Sequence, residues 1–155
     1  MNAMQSSQFL KTEDHQVSKE YLDKGFFIGP AANKEALEWI RKAFEAIVKK
    51  ELGISKNIDM IDILNLTHEK IDVTALNDFR LSMISKVNAL PGFRQKYYEI
   101  AEPYLDILVG NELAMQSKVN LSIQLPNDDS SLLPVHADTW SGDSPFEVVV
   151  WVPLV

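Results

Sequence analysis

The sequence predicts an α+β fold in which helices come first and strands follow. Two observations predict it: apolar residues recur at three- and four-residue steps before Gly110, and they alternate with polar residues after Asn111. The 155 residues fit one domain and contain no repeat or low-complexity tract. We therefore predict a single domain over 1–155, with mainly helical support over 1–110 and the first core β-strands over 111–155.

Three helices are predicted in the first part. Asn33 is a typical helix N-cap and Gly53 a typical helix end, and Thr74 is a candidate cap for a second helix that stops at Leu90-Pro91-Gly92. A third helix is predicted from Phe93 to Val109. The apolar stripes of the first two are Leu37, Ile40, Phe44, Ile47 and Val48, and Leu76, Phe79, Met83, Ile84 and Val87.

Two other segments of this part are less regular. Residues 21–28 predict the end of a helix, a turn at Gly25 and a short strand. Residues 54–72 fit a helical and a strand period equally well, so their secondary structure stays open.

Two strands are predicted in the second part. Over 118–125 apolar side chains alternate with polar ones, as in a strand with one apolar and one polar face. A turn or loop follows over 126–131. The run 146–155 is almost wholly apolar, which is typical of a strand covered on both faces.

Composition excludes several classes of function. The chain has no cysteine, so a disulfide framework and a thiolate metal site are excluded. A formal net charge of −7 argues against nucleic acid as a partner, and no membrane span or secretory signal is visible. We therefore predict a cytoplasmic protein. Residues 111–155 carry one base, Lys118, against six acids; this suits a cation, although a solvated acidic loop would look the same.

His136 and Asp138 are the candidate metal ligands. The two residues are separated by one alanine, so on an extended backbone both side chains leave the same face. An imidazole and a carboxylate can then occupy adjacent positions on one iron(II) ion, and a second His would complete a two-His, one-carboxylate triad. The alternative is a surface His beside a turn Asp, since this tripeptide also occurs by chance. His15 and His68 fit surface positions.

The sequence around His136 and Asp138 resembles a known family. The stretch Leu133-Pro134-Val135-His136-Ala137-Asp138-Thr139-Trp140, followed by Glu147-Val148-Val149-Val150-Trp151-Val152-Pro153-Leu154, is similar to the metal-binding region of the phytanoyl-CoA dioxygenase-like superfamily. It is closest to the branch called sporadic carbohydrate cluster 2-oxoglutarate, iron(II) oxygenases. The opening Tyr21-Leu22-Asp23-Lys24-Gly25-Phe26 is also similar to that superfamily.

The resemblance implies a double-stranded β-helix (jelly roll) preceded by helices. It also implies Fe(II) and 2-oxoglutarate as cofactors, with hydroxylation or a related oxidation of a small substrate. The name of the branch indicates a carbohydrate-related substrate. His136 and Asp138 would be the first two iron ligands. If the polar face of 118–125 lines the barrel, Lys118, Asn120 and Gln124 would contact the co-substrate; otherwise that face lies in water. Trp140 would wall the substrate pocket or simply pack.

One departure from the family pattern bears on activity. The family places a His and then an Arg or Lys well downstream of the Asp, whereas the 17 residues after Asp138 contain no His, Arg or Lys. We therefore expect a C-terminally truncated oxygenase that is inactive as this chain. The alternative is a non-catalytic remnant or interaction domain that self-associates through an exposed apolar strand. A cupin-type isomerase or sugar-binding protein would need more histidines after residue 111.

Overall fold

Helices organise residues 12–108 in the computed structural model, which describes residues 11–54, 60–127, 129, 132 and 134–155. The helices are α1 (Thr12–Lys24), α2 (Lys34–Glu51), α3 (Met60–Asn65), α4 (Leu76–Asn88), α5 (Phe93–Glu99) and α6 (Glu102–Leu108). Short 3-10 turns lie at Thr67–Glu69, Val73–Ala75 and Asp138–Ser141. Within these described ranges, no helix has both the length and the apolar character needed to cross a membrane.

Helix α2 lies at the centre of the core. Its residues Ala36, Ile40, Phe44 and Val48 recur every fourth position, form one ridge and are buried. The ridge contacts α3, α4 and α5. Phe44 meets Phe93 of α5 edge to face, with ring centroids 6.2 Å apart. Full burial of a side chain of this size contributes about 1.5–3 kcal/mol, so this ridge is the main apolar contribution of α2.

The predicted cap of α2 is confirmed, and that of α4 is wrong. Asn33 Oδ1 accepts a hydrogen bond from the Ala36 backbone N–H at 2.9 Å. Helix α4 begins after Ala75 and has no side-chain cap. Asp72 caps the 3-10 turn before it and accepts from the backbone N–H of Thr74 at 2.8 Å and from its hydroxyl at 2.7 Å, so Thr74 lies inside that turn.

The third predicted helix is divided in two. Helix α5 ends at Glu99 and α6 begins at Glu102, with Pro103 in its first turn. Proline has no N–H, and its ring would clash with the carbonyl of Glu99 four residues earlier. Because of this break, the Ile100 carbonyl accepts a hydrogen bond from the Ala32 backbone N–H at 2.8 Å. This bond connects the segment before α2 to the junction between α5 and α6.

The glycine turn after α1 is confirmed, and the strand predicted after it is wrong. Gly25 ends α1 with φ +79°, a conformation that favours glycine. The chain after it is irregular. Phe27 contacts Tyr104 of α6 with ring centroids 5.1 Å apart, and the Tyr104 hydroxyl donates to the Pro30 carbonyl at 3.0 Å. Contacts with a helix therefore replace strand pairing here.

The predicted part of a jelly roll is wrong. No residue in the described parts of the chain belongs to a β-strand, so neither a sheet nor a barrel is present there. A strand requires a second strand to pair its backbone groups. The two segments predicted as strands instead lie on the helical layer. The open segment 54–72 contains α3 and a 3-10 turn, with residues 55–59 outside the described residues.

Segment 118–125 keeps the predicted alternation without a sheet. Val119, Leu121, Ile123 and Leu125 are half-buried, and the polar residues between them are exposed. The Asn88 side chain takes the place of a neighbouring strand: its Nδ2 donates to the Val119 carbonyl and its Oδ1 accepts from the Val119 N–H, both at 2.8 Å. Asn88 Nδ2 also donates to the Ile84 carbonyl at 2.8 Å. One amide thus joins the end of α4 to this segment.

Segment 146–155 was predicted to be covered on both faces, and the structure covers only one. Val148, Val150, Val152 and Leu154 are half-buried, and the Tyr97 hydroxyl donates to the Val150 carbonyl. The intervening residues are exposed, since a single helical layer can cover only one face of an extended chain. The turn predicted over 126–131 lies partly outside the described residues.

A three-residue polar cluster joins α2 to α4. Ser82 Oγ donates to Glu51 Oε2 at 2.9 Å, and Lys86 forms an ion pair with Glu51 and donates to Ser82 Oγ at 2.8 Å. These contacts, led by the hydrogen bond from Lys86, lower the pKa of Glu51 below its usual value of 4.5.

We expect Asn88→Ala to destabilise the protein by roughly 1–3 kcal/mol, because three hydrogen bonds are lost and the polar groups of Val119 lose their partner. Chemical denaturation measures the loss, and hydrogen exchange at the Val119 amide should accelerate. Asn77→Ala, an exposed residue of the same helix, is the control. Equal effects of the two substitutions would contradict the role given to Asn88.

We expect Glu51→Gln to lower stability at neutral pH and to matter less in acid. A carboxyl whose pKa is lowered on folding contributes stability above its unfolded pKa, here about 4.5, and loses it as pH falls through the folded value. The urea midpoints of wild type and variant should therefore differ at pH 7 and converge below about pH 4. Glu38→Gln, which removes an exposed ion pair within α2, serves as the control. A difference that persists in acid would show that packing, not charge, causes the effect.

Candidate functional site

The His136–Asp138 pair lies in the connection between the two extended segments. Ala137 has an extended backbone (φ −124°, ψ 134°), and Asp138 begins a 3-10 turn that Gly142 ends with φ +99°. The Trp140 N–H donates to the Ala137 carbonyl at 2.9 Å. The backbone is therefore extended up to the metal-ligand candidate Asp138 and turns directly after it.

The two side chains converge. His136 Nε2 and Asp138 Oδ1 are 3.4 Å apart, and both side chains are about half exposed, at 44% and 54%. Two ligand atoms that each lie about 2.1 Å from one ion are about 3.0 Å apart at a right angle and about 3.4 Å apart at the tetrahedral angle. The pair thus has the spacing of two adjacent ligands of a single cation.

A backbone carbonyl orients the imidazole. His136 Nδ1 lies 2.7 Å from the Pro134 carbonyl oxygen. A carbonyl only accepts, so Nδ1 carries a proton, and Nε2 is the ring nitrogen that faces Asp138. Metal-binding histidines are commonly fixed in this way through their second nitrogen. Sequence reasoning missed Pro134, although backbone carbonyls often accept a hydrogen bond from histidine Nδ1.

The described residues supply two ligands and no third. No group of three or more His, Asp or Glu side chains that could hold a metal ion occurs among them. His15 lies in α1 and His68 in the turn Thr67–Glu69, where its Nδ1 is 2.8 Å from the Asn65 carbonyl. Neither histidine joins His136 and Asp138.

The other predicted site residues lie on the surface. Lys118, Asn120 and Gln124 occupy the exposed positions of segment 118–125, and Trp140 is 76% exposed in the turn after Asp138. A role for the first three in holding 2-oxoglutarate, and for Trp140 in a substrate pocket, stays a prediction.

Two shallow cavities border Trp39 on the outer face of α2. Their volumes are about 430 and 300 Å³; Lys42 lines both, and neither is lined by His136 or Asp138. The candidate site is therefore an open surface pair and has no part in these cavities. Val135, the residue before His136, is almost fully exposed.

Comparisons with known proteins add no relative to this picture. No family model, no curated protein and no solved structure matches the chain.

Proposed function

We propose that His136 and Asp138 are two iron ligands of an Fe(II)- and 2-oxoglutarate-dependent dioxygenase site of the phytanoyl-CoA dioxygenase-like type. The observation that carries the proposal is the 3.4 Å distance between His136 Nε2 and Asp138 Oδ1, with the imidazole held through Nδ1 by the Pro134 carbonyl. Imidazole and carboxylate are ligands that suit iron(II), and a facial arrangement leaves positions open for a co-substrate.

Each residue has a defined part in the proposal. His136 and Asp138 hold the metal, Pro134 fixes the imidazole, and Lys118 provides the positive charge for a carboxylate of 2-oxoglutarate, with Asn120 and Gln124 as hydrogen-bonding partners. Bound iron, with 2-oxoglutarate and dioxygen, supplies the oxidising chemistry. Trp140 provides an apolar wall for a small, carbohydrate-related substrate.

The proposal gives this chain weak metal binding and no turnover by itself. A facial triad needs a second His, and the described residues bring none to the pair. We place the protein in the cytoplasm as part of the same proposal, because a chain without cysteine is compatible with a reducing compartment.

Metal binding is the direct test. Anaerobic addition of Fe(II) and 2-oxoglutarate should give the weak visible charge-transfer band of such sites, and Mn(II) titration followed by electron paramagnetic resonance should give an affinity. His136→Ala and Asp138→Ala should each weaken Mn(II) binding by about tenfold or more, because each removes half of the ligands.

His68→Ala is the matched control. Its ring is also exposed and also bonded to a carbonyl through Nδ1, but no described carboxylate lies within 4.0 Å of it. If the His68 variant loses as much affinity as the His136 variant, or if neither pair variant changes it, the iron site is elsewhere or absent.

A second candidate function, self-association through segment 146–155, is favoured by its uncovered face. Val149, Trp151 and Val155 are 49%, 74% and 62% exposed, and they follow one another on one side of the segment. Residues 148–155 have no charged side chain, so two such segments can pair without repulsion between side chains. An interaction domain would use this surface and would need no metal.

Trp151→Lys should abolish self-association of this kind, because a charge on the exposed face opposes pairing of an apolar segment. Sedimentation velocity in the presence of a chelator measures it over a concentration series. Trp140→Lys makes the same change at an exposed Trp outside the segment and should leave association unchanged. A wild-type chain that stays monomeric throughout would rule out this second function.

A further inference from the structure

His136 and Asp138 are two side chains that can bind one metal ion together. Their 3.4 Å separation lets both atoms bind one ion, for which adjacent ligand atoms lie about 3.0–3.4 Å apart. Tetrahedral sites need four donors, and the described residues bring only these two together. A second copy of the chain presents the same two.

Both side chains are accessible enough for a second copy to reach them. They are about half exposed, and the residues beside them in sequence are more so: Val135 is 98% and Trp140 is 76% exposed. If two copies meet at this surface, Val135 and Trp140 of each chain are removed from water. Burial of these apolar side chains favours the contact.

The negative charge of this surface requires a cation between the two copies. The chain carries a net charge of −7, and residues 111–155 account for five of these charges, with six acids against Lys118. Two such surfaces repel when they meet directly. A divalent cation balances the two Asp138 carboxylates, and the two neutral imidazoles complete its ligands without adding charge.

We propose that a divalent transition-metal ion bridges two copies of this chain, each contributing His136 Nε2 and Asp138 Oδ1. The ion lies on a two-fold axis, so both copies use the same surface. This inference rests on the proposed function in one respect, because it uses the same two metal ligands. It adds that the partner is a second copy of the chain and that the ion has four protein ligands.

Zn²⁺ is the probe, because it is redox-inert and accepts a tetrahedral set of imidazole and carboxylate ligands. Sedimentation velocity of the 155-residue chain with a chelator, and then with Zn²⁺, should show a monomer that becomes a dimer. Isothermal titration calorimetry should give one ion per two chains. Asp138→Asn and His136→Ala should each remove the dimer, since each deletes two of the four ligands, while His68→Ala should leave it intact.

The outcomes separate this inference from the proposals above. One ion per chain with a monomer would overturn the bridge and leave the proposed iron ligands in place. No binding that depends on His136 or Asp138 would overturn both. A dimer that forms equally in chelator would overturn the bridge, and its loss in Trp151→Lys would point to segment 146–155 instead. A Zn²⁺-dependent dimer that survives Asp138→Asn would also overturn the bridge.

Discussion

Burial of the α2 ridge is the interaction on which the remaining structure depends. Ala36, Ile40, Phe44 and Val48 are covered by α3, α4 and α5, and this fixes the positions of Asn88 at the end of α4 and of Tyr97 in α5. The same core also offers a surface to the second part of the chain. Val119, Leu121, Val152 and Leu154 pack against it. The extended segments are thus held by a helical layer, which provides one apolar surface and no backbone partners.

This arrangement explains why the second part is irregular although its apolar pattern is regular. Contact with the helices buries every second side chain, so burial along the extended segments alternates with a period of two. It leaves the backbone N–H and carbonyl groups to side-chain partners, of which Asn88 and Tyr97 supply three. A sheet would require another strand beside each segment, and the described residues contain none.

The His136–Asp138 pair is consequently a product of local geometry. The extended Ala137, the turn that starts at Asp138 and the Pro134 carbonyl bring Nε2 and Oδ1 together without help from the core. Such a pair is open to water and to a second molecule. Its chemistry therefore depends on which further ligands the metal ion acquires. In the proposed iron site a second His adds the third protein ligand, and in the metal-bridged dimer a second copy adds two ligands.

The sequence by itself determined the features that depend on near neighbours. It predicted the stripe of α2, the Asn33 cap, the turn at Gly25 and the alternation over 118–125, because period and capping act within a few residues. The break before Pro103 also has a local cause, the proline itself, and the sequence prediction of one continuous helix overlooked it. Only the tertiary structure decided the partners of Asn88 and Glu51 and the single covered face of 146–155, since these depend on residues distant in the chain. The predicted jelly roll failed for the same reason: strand character is local, whereas a sheet needs a partner in space. The His–Ala–Asp spacing indicated that the two side chains meet, and only the structure showed the 3.4 Å distance and the orienting carbonyl.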